Sequence, residues 1–123
     1  MSANIIKINR CDSFKFTISI QEKNSVEKHL LTTNEAVYFA LLYPNQRFED
    51  APLIKGYTFE DQNVKTGEIE INILPNDTKF LSPGVYYYTV KLQRGSSLEV
   101  INDCDEQEEV RTIIERTKFI INE

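Results

Sequence analysis

The sequence predicts an all-β fold built as two packed sheets, and three observations predict it. First, 14 Ile, 7 Val, 7 Phe, 6 Tyr and 9 Thr make 43 of the 123 residues strand-favouring. Only four Ala are present, which leaves helices without their best former. Second, apolar and polar residues alternate with period two in several segments, the signature of half-buried strands. Third, turn signals recur about every 8–12 residues, as they do in sandwiches.

Asn4 to Asn9 opens the chain as a short strand with Ile6 and Ile8 on one face. Ser13 to Gln21 (SFKFTISIQ) follows, placing Phe14, Phe16, Ile18 and Ile20 inward and Lys15, Thr17 and Ser19 outward. The polar stretch Gln21 to Asn34 reads as a hairpin loop or crossing connection with few internal constraints. Ala36 to Tyr43 (AVYFALLY) is apolar on both faces, so it belongs at the centre of a sheet covered on both sides. Pro44 and Asn45 end it.

Pro52 to Thr58 is a weaker strand containing Gly56, expected at an edge or a bulge. Glu68 to Ile73 alternates cleanly with Ile69, Ile71 and Ile73 inward, and Pro75 to Gly84 is a turn-rich corner. In Val85 to Leu92, Tyr86, Tyr88, Val90 and Leu92 share one face. Ser97 to Ile101 and Val110 to Ile121 read as arms of a long hairpin with an acidic tip between them. No repeat, linker or low-complexity stretch divides the chain. The expected architecture is a single domain, 1–123, an immunoglobulin-like antiparallel β-sandwich of seven to eight strands.

Composition also bears on function. A net charge of -5 with 14 Lys+Arg has the wrong sign for a phosphate-backbone binder, so no nucleic-acid partner is expected. No run of 18 apolar residues exists, and the start MSANIIKINR is too polar for a signal peptide, so neither membrane insertion nor export is expected. With one His and two Cys, a His/Cys zinc site is almost impossible to assemble. Cys11 and Cys104 could pair only with Cα atoms within about 7 Å, and both read as free thiols.

Catalytic constellations are hard to build from these residues. The acidic run Asn102 to Glu109 (NDCDEQEE) lacks the glycine turn of a calcium loop and reads as a solvated tip. Glu68 and Glu70 stand on the solvent face of their strand, about 7 Å apart, with nothing to separate their pKa values. His29 reads as a surface histidine, since no elbow motif marks Ser19 or Ser25 as a nucleophile. Gly56, Gly67, Gly84 and Gly95 are isolated and cannot cradle a phosphate. No enzyme activity, metal or cofactor is expected. Tyr86 and Tyr88 read as core residues whose phenols tie to backbone near a corner, whereas Tyr87 points the other way.

Several segments resemble one family. Arg10-Cys11-Asp12-Ser13-Phe14-Lys15-Phe16 is similar to an R-G-D-[ST]-hydrophobic-x-hydrophobic opening, with Cys11 in place of the glycine. Leu31-Thr32 with Ala36-Val37-Tyr38-Phe39, and Gly67-Glu68-Ile69-Glu70-Ile71, resemble its next strands. Asp77-Thr78 with Leu81-Ser82-Pro83-Gly84-Val85-Tyr86-Tyr87-Tyr88 resembles a D-T-x-x-L-x-P-G-x-Y-x-Y corner. Arg111-Thr112-Ile113 with Phe119-Ile120-Ile121 resembles the closing strand. Together, from about Arg10 to Ile121, these resemble the amino-terminal immunoglobulin-like domain of the baseplate upper protein family of tailed phages and prophages.

That resemblance implies a non-enzymatic virion component, made in the host cytoplasm and joined to other tail or baseplate proteins, with self-association expected. A small β domain of this kind works through its surface. Tyr43, Phe48, Tyr57 and Tyr87 are the expected interface anchors, as outward aromatics; for Tyr43 and Phe48 the alternative is that they cover the end of the sandwich. The expected sheet edges are Asn4–Asn9 and Pro52–Thr58. A different function, carbohydrate or receptor binding, would use Tyr43, Tyr57 or Tyr87 as sugar platforms.

Overall fold

A computed structural model describes residues 4–22, 27–94 and 109–123. Its strands are β1 (Ile6–Asn9), β2 (Phe14–Ser19), β3 (Glu35–Leu42), β4 (Leu53–Tyr57), β5 (Glu68–Ile73), β6 (Gly84–Arg94) and β7 (Glu109–Asn122), with a one-turn helix α1 (Pro75–Thr78). They form a five-stranded sheet in the order β1-β7-β6-β3-β4 and a two-stranded sheet, β2-β5. The chain changes sheet after β1, β2, β4 and β5, which is the interlocked route of an immunoglobulin-like sandwich. One pairing departs from the antiparallel expectation. β1 runs parallel to β7, with Ile6 opposite Phe119 and Asn9 opposite Asn122.

Alternation explains the small sheet. Phe14, Phe16 and Ile18 of β2 stand opposite Ile73, Ile71 and Ile69 of β5, so one face of the pair is wholly apolar. That face packs on Val37, Phe39, Leu41, Tyr86, Tyr88, Val90 and Phe119 of the large sheet. The aromatic contacts cross the interface, with Phe16 edge-on to both Phe39 and Tyr88. Lys15, Thr17, Glu68 and Glu70 face outward, as alternation requires.

β3 is buried along its entire length. Its inner side chains join the main core. Its outer ones, Ala36, Tyr38, Ala40 and Leu42, make a second apolar cluster with Phe48. Alanines at 36 and 40 leave a hollow on the outer face, and the turn carrying Phe48 folds back to fill it. Gly56 of β4 lies against the Tyr38 ring, where an added Cβ would come within 2.9 Å of Tyr38 Cε1.

The turn-rich corner after β5 is tied from several directions. The Leu74 N–H donates to Asp77 Oδ2 at 2.7 Å, capping α1. Thr78 is fully buried, and its Oγ1 accepts the Cys11 N–H at 2.9 Å, fastening the β1–β2 turn to the corner. The Tyr86 hydroxyl donates to the Ser82 carbonyl at 2.6 Å, the tyrosine-corner arrangement expected from sequence. Burial, together with a bond to Tyr43, pushes the Tyr86 phenol up to about 12, so it remains a neutral donor.

β6 itself is the partner of β7, from Gly84 opposite Ile121 to Arg94 opposite Glu109. This corrects the expected hairpin, whose first arm was placed after Leu92. Ser97 to Ile101, Cys104 and most of the acidic run lie outside the described residues. Register shifts occur on either side of Val90, giving β7 two extra residues across this stretch. The Thr89 hydroxyl donates to the Ile114 carbonyl at 2.7 Å across the irregularity.

Two outcomes test this description. Ile71 is fully buried in the β2–β5 face, so Ile71→Ala should lower unfolding stability by about 2–5 kcal/mol in a denaturant titration. Loss of under about 0.5 kcal/mol would place Ile71 at the surface. Cys11 sits at the third position of a turn closed by the Asp12 N–H to the Asn9 carbonyl, with φ at 70°. Glycine reaches that conformation without the Cβ–carbonyl clash, so Cys11→Gly should raise stability by about 0.5–1 kcal/mol. A loss of stability would show the turn to be unstrained.

Candidate functional site

The two open flanks of the sandwich differ. On the β4–β5 flank the sheets are stitched together. Lys55 Nζ of β4 reaches Asp77 at 2.6 Å and the Asn72 carbonyl at 2.6 Å, while the Tyr57 hydroxyl accepts the Asn72 N–H at 3.3 Å. Gln62 also forms an isolated antiparallel bridge with Ile69, covering part of the outer edge of β5.

The β2 flank is open among the described residues. Between β2 and the β1/β7 edge runs a groove of about 550 Å³, floored by Phe14, Phe16, Ile18, Tyr88, Ile113 and Ile114. Asn4, Ile5, Ile6, Lys7, Thr17, Ser19 and Glu68 line its remainder. Phe14 and Phe16 point into the space between the sheets yet remain only half-buried, because nothing among the described residues covers them there. Ile113 and Ile114 are consecutive but both pack against the core, which the β7 register shifts permit and regular alternation would forbid.

Backbone edges flank this groove on both sides. Among the described residues, β2 has a ladder partner on one side only, β5. β7 is covered by β1 only from Phe119 to Asn122, so its earlier half has no ladder partner on that side among the described residues. One end of the groove is crossed by Arg111, whose Nη2 donates to the Gln21 carbonyl at 2.7 Å. At its floor the Tyr88 hydroxyl donates to the Asn4 carbonyl at 2.7 Å, and burial holds that phenol above its ordinary pKa.

Beyond the Arg111 crossing lies a polar cluster. His29, expected at the surface, is 7% exposed. Its Nδ1 lies 2.9 Å from Glu22 Oε1 and its Nε2 2.8 Å from Glu35 Oε2. Glu35 is fully buried, and its carboxylate also accepts the Thr32 N–H at 2.9 Å, the Thr32 hydroxyl at 3.0 Å and Arg94 Nη2 at 3.1 Å. The connection Gln21 to Asn34, expected to have few internal constraints, is held by several among its described residues. Gln62 accepts the Leu31 N–H at 2.7 Å and donates to the carbonyls of His29 and Gly67.

The four aromatics expected at an interface are scattered. Phe48 is fully buried under the outer face of β3 and serves as cover, with Lys91 Nζ 5.0 Å from its ring centre. Tyr57 packs on the main core from β4, whereas Tyr87 lies on the opposite face of the same sheet, beside Leu42. Tyr43 is 44% exposed at the end of β3, its ring 5.1 Å from that of Tyr86. No single platform unites them. Cys11 is an exposed thiol.

Sequence reasoning missed the groove because half-exposed inward residues look like any core residue in a pattern. It missed the His29 cluster too, although an acid at the head of the apolar β3 segment was a readable signal of a buried partner. No protein-family model matches the chain, and no curated protein or solved structure matches it significantly.

Proposed function

We propose that this domain is a non-enzymatic structural adaptor of a phage or prophage tail baseplate, acting through protein–protein contacts. The observation that carries the reading is the groove between β2 and the β1/β7 edge, with its apolar floor and flanking backbone edges. A row of backbone donors and acceptors next to an apolar trench is matched by an extended polypeptide strand: main-chain hydrogen bonds provide affinity and alternate side chains fill the trench. A sugar or a nucleotide would leave that floor poorly covered. The occupant in this reading is a strand of a neighbouring tail protein. The motif resemblance from Arg10 to Ile121 supports the virion setting.

Purified tail particles from the strain that encodes the chain provide the test. The domain should be present in them, and amide exchange along Phe14–Ser19 should slow at least about tenfold relative to the isolated domain, as pairing of a free edge requires. Ile114→Lys, which charges the half-buried groove floor, should cut incorporation about tenfold or more while the isolated variant still melts cooperatively. Absence of the domain from the particles would overturn the virion assignment. Presence with unchanged β2 exchange would overturn the groove as the contact.

A further inference from the structure

His29 is bonded on both ring nitrogens to carboxylate oxygens, which can only accept. A neutral imidazole carries one N–H and would turn a lone pair toward one of those oxygens, so with both carboxylates ionised the paired bonds call for the imidazolium. The charges then balance: Glu22 of the connection and Glu35 of β3 face His29, and Arg94 of β6 bonds Glu35 from the far side. Among the described residues, Glu27 and Lys28 are the remaining charged residues of the connection, and Lys28 packs beside Gly67.

The cluster sits at a mechanical junction. The Glu22 N–H donates to the Glu27 carbonyl at 2.7 Å, the His29 N–H donates to the Ile20 carbonyl at 2.8 Å, and Gln21 bridges to Lys28. The Gln21 carbonyl is also the acceptor of the Arg111 bond that crosses the end of the groove. The Glu22–His29–Glu35 chain therefore links the groove end to β3 and β6. Among these bonds, those of His29 are the ones that change charge near neutral pH.

We propose that His29 is a proton-operated latch: doubly protonated, it pins Gln21 and Glu22 to β3, and loss of one proton frees Glu22 and loosens the end of the groove. Burial alone would lower the His29 pKa, but the hydrogen bonds and charges of Glu22 and Glu35 outweigh it and hold the value above 6.5. For Glu35, burial acts to raise the pKa, and bonds from Thr32, His29 and Arg94 outweigh it, holding the value below 4.5. A raised histidine stabilises fully below its unfolded value, and that contribution is lost as pH rises through the folded value. A lowered carboxylate stabilises above its unfolded value and loses this as pH falls through the folded one. The latch is thus closed between the two folded values and opens on the alkaline side through His29.

Nitrogen NMR of the His29 ring, with amide exchange from about pH 5.5 to 8.5, tests this. Two N–H groups at the acid end, titration above 6.5 and a downward shift in Glu22→Gln are the expected results. Exchange at Glu22 and His29, corrected for its intrinsic pH dependence, should accelerate about fivefold or more as the His29 ring loses its proton, with central β3 amides unaffected. In His29→Gln that local acceleration should vanish. A single ring N–H at the acid end, titration at or below 6.5, or exchange that changes equally across β3 would overturn the latch.

Discussion

Unequal sheet width is the constraint from which most of this structure follows. A two-stranded sheet lies over one of five strands, so each flank of the small sheet leaves part of the large one to be covered by something else. Apolar surface left in water is unfavourable by about 25 cal/mol per Å², and the chain must supply cover or tolerate exposure. Here it does both, one on each flank. On the β4 side, a lysine, a tyrosine hydroxyl and a carboxylate draw β4, β5 and α1 together. On the β2 side, aromatic side chains remain half in solvent. The asymmetry defines the groove: among the described residues one flank is stitched shut and the other has no such cover.

The outer face of the large sheet answers the same constraint differently. Small residues at 36 and 40 create room above β3, and Phe48 arrives from a short turn to occupy it, beneath the Lys91 ammonium. The result is a second core of five side chains behind the first. β3 therefore acts as the inner wall of two compartments, and any disturbance of its register is felt in both.

Much of the sandwich was legible because period-two patterns respond directly to one-sided burial. Phe14, Phe16 and Ile18, and Ile69, Ile71 and Ile73, announced β2 and β5. The two-sided apolarity of 36–43 announced a central strand. What escaped had one physical cause: the relevant contact depends on a long-range path. Phe48 sits in a polar stretch and looks exposed until the hollow over Ala36 and Ala40 is known. Ile113 and Ile114 fall on opposite faces in a regular strand, and only the shifts around Val90 bring them together. His29 looks solvated by its polar neighbours until Gln62 and Glu35 are placed around it.

The parallel pairing of β1 with β7 has a mechanical consequence. Tension applied beyond the outer ends of these two strands pulls β1 toward Ile6 and β7 toward Asn122, so the strands are drawn past one another along their axes. The four paired residues then share the load in shear. An antiparallel hairpin pulled at its open end would instead peel, bond by bond. The Arg10 N–H to the Asn122 carbonyl at 2.7 Å lengthens this clamp by one rung. Beyond it the Arg10 guanidinium holds the Lys79 carbonyl at 2.9 Å, anchoring the clamp to the corner. A short parallel ladder whose Ile6, Ile8, Phe119 and Ile121 also belong to the core is placed where it resists extension of the whole domain.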